Sequence, residues 1–176
     1  MVSIRPLVEG SEGILREYHR VTKPERSKSL WLDWTSDWDH SQDWQILPVY
    51  ASDGICKKRY GKDVDWEWIT VMLSGLWPSI WTTLFKAIDP DKVALAAFSR
   101  LRANQELPPH EHINPGHLIL HIGVDIPEGD VGTMTSYGTH QWTKPNEWVL
   151  FDDNDTHSAW NRTDEDRIIF YVDFVP

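Results

Sequence analysis

Two histidines one residue apart, His110 and His112, are the first residues of this 176-residue chain whose types and spacing favour chemistry. On a β-strand, positions i and i+2 project from the same face, so both imidazoles would point into one space. Non-haem Fe(II) centres bind the metal through two histidines and one carboxylate on one face, and leave positions open for a cosubstrate and oxygen. The usual order is histidine, any residue, carboxylate, and then a distant second histidine. Here His157 is the distant histidine and His112 stands at the carboxylate position. A histidine pair alone does not define a metal site, but the three histidines together are candidate metal ligands.

An arginine ten residues after His157 adds a second feature. A predicted turn over residues 163–166 would place Arg167 just across a hairpin from His157. The planar guanidinium matches a carboxylate in a bidentate geometry, so it could hold the far end of a dicarboxylate. The other interpretation is a surface arginine that neutralises Asp164 and Asp166, and spacing alone does not decide between the two.

The elements that must position these residues are short strands. From Val93 onward, apolar runs separated by turn residues recur every 8–12 residues, which is typical of a sandwich or barrel. The predicted strands are 94–101, 117–126, 131–136, 140–143, 147–151, 157–161 and 167–174. The front half predicts helices over 11–20, 63–72 and 77–88 and a strand over 44–50, where Pro48 favours a sheet edge.

We therefore predict a single domain over residues 1–176, mainly β with N-terminal helices. The core over residues 93–176 is expected to be a double-stranded β-helix (jelly roll, cupin-like). Residues 1–92, mostly helical or irregular, are expected to support it by packing on its outer sheet, and the tryptophan-rich stretch 31–44 is a candidate lid.

Composition excludes several classes of partner. The net charge of −10 argues against nucleic acid, since phosphate binding needs a basic face. The sequence contains no run of about 18 apolar residues, so no membrane span is predicted, and the N-terminus has no apolar segment suited to secretion. The single cysteine, Cys56, excludes an internal disulfide and fits a reducing compartment. We expect a cytoplasmic protein that acts on a small molecule or a short peptide.

The motifs of the second half, taken in order, resemble those of the aspartyl/asparaginyl β-hydroxylases, a family of Fe(II)- and 2-oxoglutarate-dependent oxygenases. They are Phe98-Ser99, Pro109-His110, Leu118-Ile119-Leu120-His121-Ile122-Gly123, Phe151-Asp152-Asp153, His157, Trp160 and the strand Arg167 to Asp173. The resemblance covers residues 95–176 well and the front half loosely.

The resemblance implies a role for each motif residue. These are the iron ligands His110 and His157, the residues Arg167 and Ser99 at the distal carboxylate of 2-oxoglutarate, His121 near its metal-chelating end, and Trp160 in the pocket wall. The implied cofactors are Fe(II), 2-oxoglutarate and O2, with ascorbate as reductant.

Two positions depart from the family pattern. The family has an arginine that meets carboxylate groups at the position of Ile119, so that contact is missing here or comes from elsewhere, with His117 a possible substitute in the pocket wall. Relatives have glycine or aspartate at the position of His112. This histidine could complete a three-histidine metal face, orient a bound water, or contact substrate.

The expected function is hydroxylation of an unactivated C–H bond in an amino acid, a peptide residue or a similar small substrate. A lipid acyl chain is also compatible with the breadth of the family. One alternative is a cupin metalloenzyme that uses His110, His112 and His157 without 2-oxoglutarate and does not need Arg167. Another alternative is a jelly-roll binding protein without catalytic activity, which would have no affinity for iron.

Overall fold

The structure, a computed structural model, describes residues 2–22, 31–33, 44–52, 71, 74–112 and 115–176. Its helices are α1 (Arg5–Glu9), α2 (Ser11–Val21) and α3 (Pro78–Ala87), and a 3-10 turn follows over Pro90–Lys92. Its strands are β1 (Leu32–Asp33), β2 (Trp44–Ala51), β3 (Val93–Leu101), β4 (Gln105–His110), β5 (Leu118–Asp125), β6 (Val131–Thr135), β7 (Gly138–Gln141), β8 (Trp148–Asp152), β9 (His157–Asn161) and β10 (Arg167–Phe174).

These strands form two antiparallel sheets whose inner faces pack on each other. The last eight strands have the order β3-β10-β5-β8 in one sheet and β4-β9-β6-β7 in the other. Strands β2 and β1 extend the first sheet beyond β3. Eight antiparallel strands that alternate in this way between two sheets make a jelly roll. The predicted fold class, mainly β with N-terminal helices, is confirmed.

The outer face of the six-stranded sheet is covered by the helical front half. Phe98 and Phe170 lie next to each other on this face, with ring centroids 5.3 Å apart. Trp77 and Tyr18 pack on Phe98, with centroids at 5.1 and 4.6 Å. All four side chains are buried, and each buried phenylalanine contributes about 1.5–3 kcal/mol by leaving water. The helices therefore occupy one face, and the inner face is left for the site.

One buried carboxylate joins the helices to each other. Glu17 of α2 accepts hydrogen bonds from the backbone N–H groups of Ser79 and Ile80, at 3.2 and 2.8 Å. These N–H groups belong to the first turn of α3, where helical partners are lacking and a negative charge is favoured. Glu17 therefore caps α3 and fixes it against α2.

Prolines mark two strands, of which β4 was missed by the sequence prediction and β2 was predicted. Strand β4 was not among the predicted strands, because Pro108 and Pro109 lower its strand propensity; it pairs with β9 around a register shift between Leu107 and His110. Strand β2 pairs along its length with β3, while β1 covers only its first part. Pro48 lies beyond that part, so among the described residues it has a strand neighbour on one side only.

Some predictions fall on other parts of the chain. The predicted helix over 63–72 and the candidate lid over 31–44 lie largely outside the described residues. Within the described residues, no helix has the length and hydrophobicity needed to cross a bilayer.

Candidate metal centre and adjoining cavity

A cavity lies between the two sheets and opens to solvent, and the empty space within it and at its mouth amounts to about 510 Å³. Most of its wall is apolar and comes from Leu107, Ile119, Phe151, Ala159 and Tyr171. The polar side chains that reach it include three histidines, His110, His112 and His157, on one side, and Ser99, His121 and Arg167 from the six-stranded sheet on the other.

The pairing register explains why the polar residues of the six-stranded sheet meet in this cavity. Arg167, Ile169 and Tyr171 alternate onto the inner face of β10. Ser99 of β3 lies opposite Ile169, and His121 of β5 lies opposite Tyr171. The arginine, serine and histidine therefore occupy successive levels of the same face.

Three histidines form a cluster on the opposite sheet. His110 at the end of β4 pairs directly with His157 at the start of β9, and their ring centroids are 4.1 Å apart. His112 follows β4, and its backbone N–H donates to the carbonyl of Asp153 at 3.1 Å. One ligand nitrogen from each of the three rings lies within 4.8 Å of the others. This spacing suits a single metal ion.

The backbone fixes which nitrogen of two rings would face a metal. Nδ1 of His110 lies 2.8 Å from the carbonyl oxygen of Pro108, and Nδ1 of His157 lies 2.8 Å from that of Asp155. A carbonyl only accepts, so each Nδ1 carries the proton and donates it. The lone pair is then on Nε2, and this arrangement is common in metal-ligating histidines.

Burial keeps two of the site histidines neutral. It lowers the pKa of His110 to about 4, mainly through desolvation and further through the neighbouring His157. The pKa of His121 lies well below its usual value because the ring is buried and because Arg167 is nearby. Both rings are uncharged at neutral pH, the form in which imidazole binds a metal.

Arg167 is a buried cation, and no aspartate or glutamate among the described residues pairs with it. Its side chain is 1% exposed. Its Nε and Nη1 have no hydrogen-bond partner within the part of the chain that the structure describes. Burial lowers its pKa to about 10, so the group still carries its charge at neutral pH. An unpaired charge in such surroundings is costly, and an anionic ligand would remove the cost.

Two further polar groups stand near this arginine. Trp44 of β2 donates its indole N–H to the hydroxyl oxygen of Ser99, at 2.8 Å. His121 packs edge-on against Phe151, with ring centroids 5.2 Å apart, and its buried Nδ1 has no hydrogen-bond partner among the residues described. This wall of the cavity therefore presents a cation, a hydroxyl and a neutral imidazole.

The three residues predicted for the pocket wall occupy different places. Ile119 lines the cavity. His117 instead bonds through Nδ1 to the buried carboxylate of Asp173, at 2.8 Å, and is not part of the described cavity wall. Trp160 points away from the cavity, covers Gly132 and donates to the carboxylate of Asp130 at 2.6 Å. It lies on the other face of β9 because it is an odd number of residues after His157.

Sequence reasoning gave Tyr171 and Leu107 no role in the site and named Trp44 only as the end of the candidate lid. Trp44 lies on a strand that was predicted, but only the register of β2 against β3 brings its indole to Ser99. Tyr171 could have been found, because it shares the parity of Arg167 along β10. Leu107 belongs to β4, which was not predicted because it contains two prolines.

Fold and site together define a jelly-roll protein with a three-histidine cluster and a buried arginine on opposite walls of one cavity. The family model for aspartyl/asparaginyl beta-hydroxylase matches residues 9–176. The chain belongs to this family of hydroxylases, which confirms the resemblance seen in the motifs.

Similar proteins add the following. Over 139 residues the chain is 29% identical to an ornithine lipid ester-linked acyl 2-hydroxylase from Rhizobium tropici. The match covers 73% of this chain and 48% of the relative, so this chain spans about half the length of that protein. Among solved structures, a sugar phosphate isomerase of the cupin superfamily from Silicibacter pomeroyi aligns at a TM-score of 0.45 and 14% identity, covering 82% of this chain and 69% of that one. A cupin domain of an XRE family transcriptional regulator from Enterobacter cloacae aligns at 0.39 and 11%, covering 47% and 81%. Neither structure informs on function.

Proposed function

We propose that this hydroxylase uses Fe(II), 2-oxoglutarate and O2 to hydroxylate an unactivated C–H bond. The observation that carries the proposal is Arg167, a buried cation with no carboxylate partner among the described residues, in the same cavity as three clustered imidazoles. A metal site alone suits many reactions. A metal site beside a carboxylate-binding cation suits a dicarboxylate that spans both.

The residues present fit a divalent iron. His110 and His157 would hold it through Nε2, and His112 would supply the third nitrogen of a facial set. Iron bound there would supply the activation of oxygen that couples decarboxylation of the cosubstrate to hydroxylation. The overall balance is substrate C–H plus 2-oxoglutarate plus O2 to substrate C–OH, succinate and carbon dioxide.

The opposite wall fits the cosubstrate. Arg167 and the Ser99 hydroxyl would bind the distal carboxylate, and the neutral His121 would lie beside the keto-acid end. Arg167 and Tyr171, the residue opposite His121, are four positions apart on β10, roughly 13 Å at the rise of a strand. A long arginine side chain and a five-carbon diacid together suit such a span. Holding both ends of the diacid orients it before oxygen arrives.

The cavity wall bears on the substrate. Arg167 is the only lysine or arginine among the described lining residues, and the cosubstrate would neutralise it. Ile119 stands where the family has a carboxylate-binding arginine. The substrate group that reaches the metal would then be uncharged and apolar. A lipid acyl chain meets this requirement, and the Rhizobium tropici relative acts on an ester-linked acyl chain by its name.

The second candidate is a cupin metalloenzyme that uses the three histidines without 2-oxoglutarate, because the cluster itself suits either chemistry. Arg167 separates the two candidates, since that reaction does not need a buried cation.

The test is the conversion of 2-oxoglutarate to succinate with Fe(II) and ascorbate, in wild type and in Arg167→Ala. Arg162→Ala is the matched control, because Arg162 is exposed and pairs with Asp130 on the outer surface. We expect succinate from wild type and the control and none from Arg167→Ala. Equal turnover in all three, or no binding of 2-oxoglutarate to metal-loaded wild type, would exclude the proposal. With turnover established, acyl-chain lipids are expected to raise it more than peptides that contain aspartate or asparagine.

A further inference from the structure

The contact between Trp44 and Ser99 joins two strands at the arginine end of the cavity. Trp44 pairs with Leu101 in the sheet register, and Leu101 pairs with Arg167, so all three lie at one level of the inner face. Ser99 occupies the next level. The indole of Trp44 also packs on the cluster of Leu101, Leu107 and Ala159 between the two sheets. The ring is therefore held in place from both layers.

The hydrogen bond decides how the Ser99 hydroxyl is oriented. A serine hydroxyl has one hydrogen to donate and two lone pairs to accept with. Its oxygen accepts the Trp44 indole N–H at 2.8 Å, so its own hydrogen must point elsewhere. Among the described residues it donates to no acceptor. A hydroxyl that accepts a hydrogen bond is also polarised into a stronger donor.

Arg167 cannot receive this hydrogen, because a guanidinium has no acceptor. Ser99 and Arg167 both line the cavity, and Ser99 is itself 2% exposed. Two donors therefore lack an acceptor in one buried space. A carboxylate, with two oxygens and no hydrogen to donate, satisfies both.

We infer that Trp44 is a positioning residue that turns the Ser99 hydroxyl toward the distal carboxylate of the dicarboxylate cosubstrate. The inference rests on the proposed use of 2-oxoglutarate. Trp44 acts through Ser99 and has no part in the reaction at the metal. Its removal should weaken cosubstrate binding and leave the catalysed step at saturation unchanged.

The experiment measures the Kd of 2-oxoglutarate by calorimetry, with Mn(II)-loaded protein so that no turnover occurs. Trp44→Phe keeps an aromatic ring in the cluster and removes the N–H. We expect its Kd to rise about three- to tenfold, the effect of losing one ordinary hydrogen bond, with kcat at saturating cosubstrate within about twofold of wild type. Ser99→Ala should raise Kd further. The double variant should match Ser99→Ala, because Trp44 has nothing left to orient.

Trp148→Phe is the control, since Trp148 is half-exposed on β8 outside the cavity wall; its Kd should equal that of wild type. An unchanged Kd in Trp44→Phe, or additive effects of the Trp44 and Ser99 changes, would overturn the inference. An unchanged Kd in Ser99→Ala overturns it as well, whether or not the phenylalanine variant folds. Wild type that binds no 2-oxoglutarate would overturn the proposed function itself, which is a separate result.

Discussion

Replacing Arg167 by methionine should stabilise the ligand-free protein while destroying its response to 2-oxoglutarate. Burial lowers the pKa of Arg167 to about 10, roughly two to three units below its ordinary value, and each pKa unit corresponds to ~1.36 kcal/mol between the two protonation states. The buried charge therefore costs about 3 kcal/mol when no anion is present. Methionine fills a similar volume without the charge, so we expect the free energy of unfolding to rise by about 2–3 kcal/mol at pH 7.

The ligand response of Arg167→Met should change in the opposite direction. Cosubstrate at a hundred times its Kd stabilises a protein by about 2.7 kcal/mol, and this gain should vanish in the variant. Losing one partner of a buried ion pair costs about 3–5 kcal/mol, roughly 10²- to 10⁴-fold in Kd. Urea unfolding of metal-loaded protein, with and without 2-oxoglutarate, measures both effects. Arg162→Met, changed on the surface, should keep the full response.

The reasoning is refuted by a ligand-free Arg167→Met protein that is clearly less stable than wild type. That result would mean that the guanidinium already has a partner before any anion binds. It would leave the three-histidine cluster as the only functional feature of the cavity.

Three further predictions concern stability. The pKa of His110 is about 4 in the folded protein and about 6.5 in the unfolded chain, so the unfolded chain binds more protons between these values. Lowering the pH from 6.5 to 4.5 should therefore lower the free energy of unfolding of the metal-free protein by about 1–2 kcal/mol, allowing for partial exposure. Urea titrations measure this loss, which should be smaller in His110→Gln. Asn161→Ala removes a buried amide whose two N–H hydrogens are shared among three backbone carbonyls between 2.8 and 3.2 Å from Nδ2, so thermal unfolding should show a loss of about 2–3 kcal/mol. No loss would mean that solvent replaces those bonds. Gly132→Ala places a Cβ in steric overlap with the Trp160 ring and should lower Tm, and a second change of Trp160→Leu should restore part of the loss. An unchanged Tm in the single variant would contradict the packing described.

Much of the fold could be predicted because its information is local. The strands from Val93 onward alternate or run apolar between turn residues, and their order matches that of the jelly roll. Helix α3 begins at a proline and carries its buried residues at helical spacing. Strand β4 could not be predicted in this way, because two consecutive prolines conceal a strand that is held by pairing with β9.

The candidate site was predictable where it depends on residue type and strand parity. His110 and His112 were predicted to share a face because they are two apart, and both join the cluster although β4 ends at His110. His157 meets His110 through the β4–β9 pairing. Strand alternation also gives the side on which Trp160 lies. It is three residues from His157, so its side chain faces away from the cavity. The motif match does not consider alternation and assigned Trp160 to the pocket wall. Trp44 could not be found, because it is 55 residues from Ser99 and their contact depends on the register between β2 and β3.

The clustered histidines and the buried arginine belong to different layers of the jelly roll. His110 and His157 depend on the register of the four-stranded sheet, whereas Arg167, Ser99 and His121 depend on that of the six-stranded sheet. A mutation that shifts one register leaves the other set in place. Metal binding and diacid binding can therefore change separately during evolution. A descendant could keep the metal site and lose the diacid site, or bind a different diacid beside an unchanged metal site.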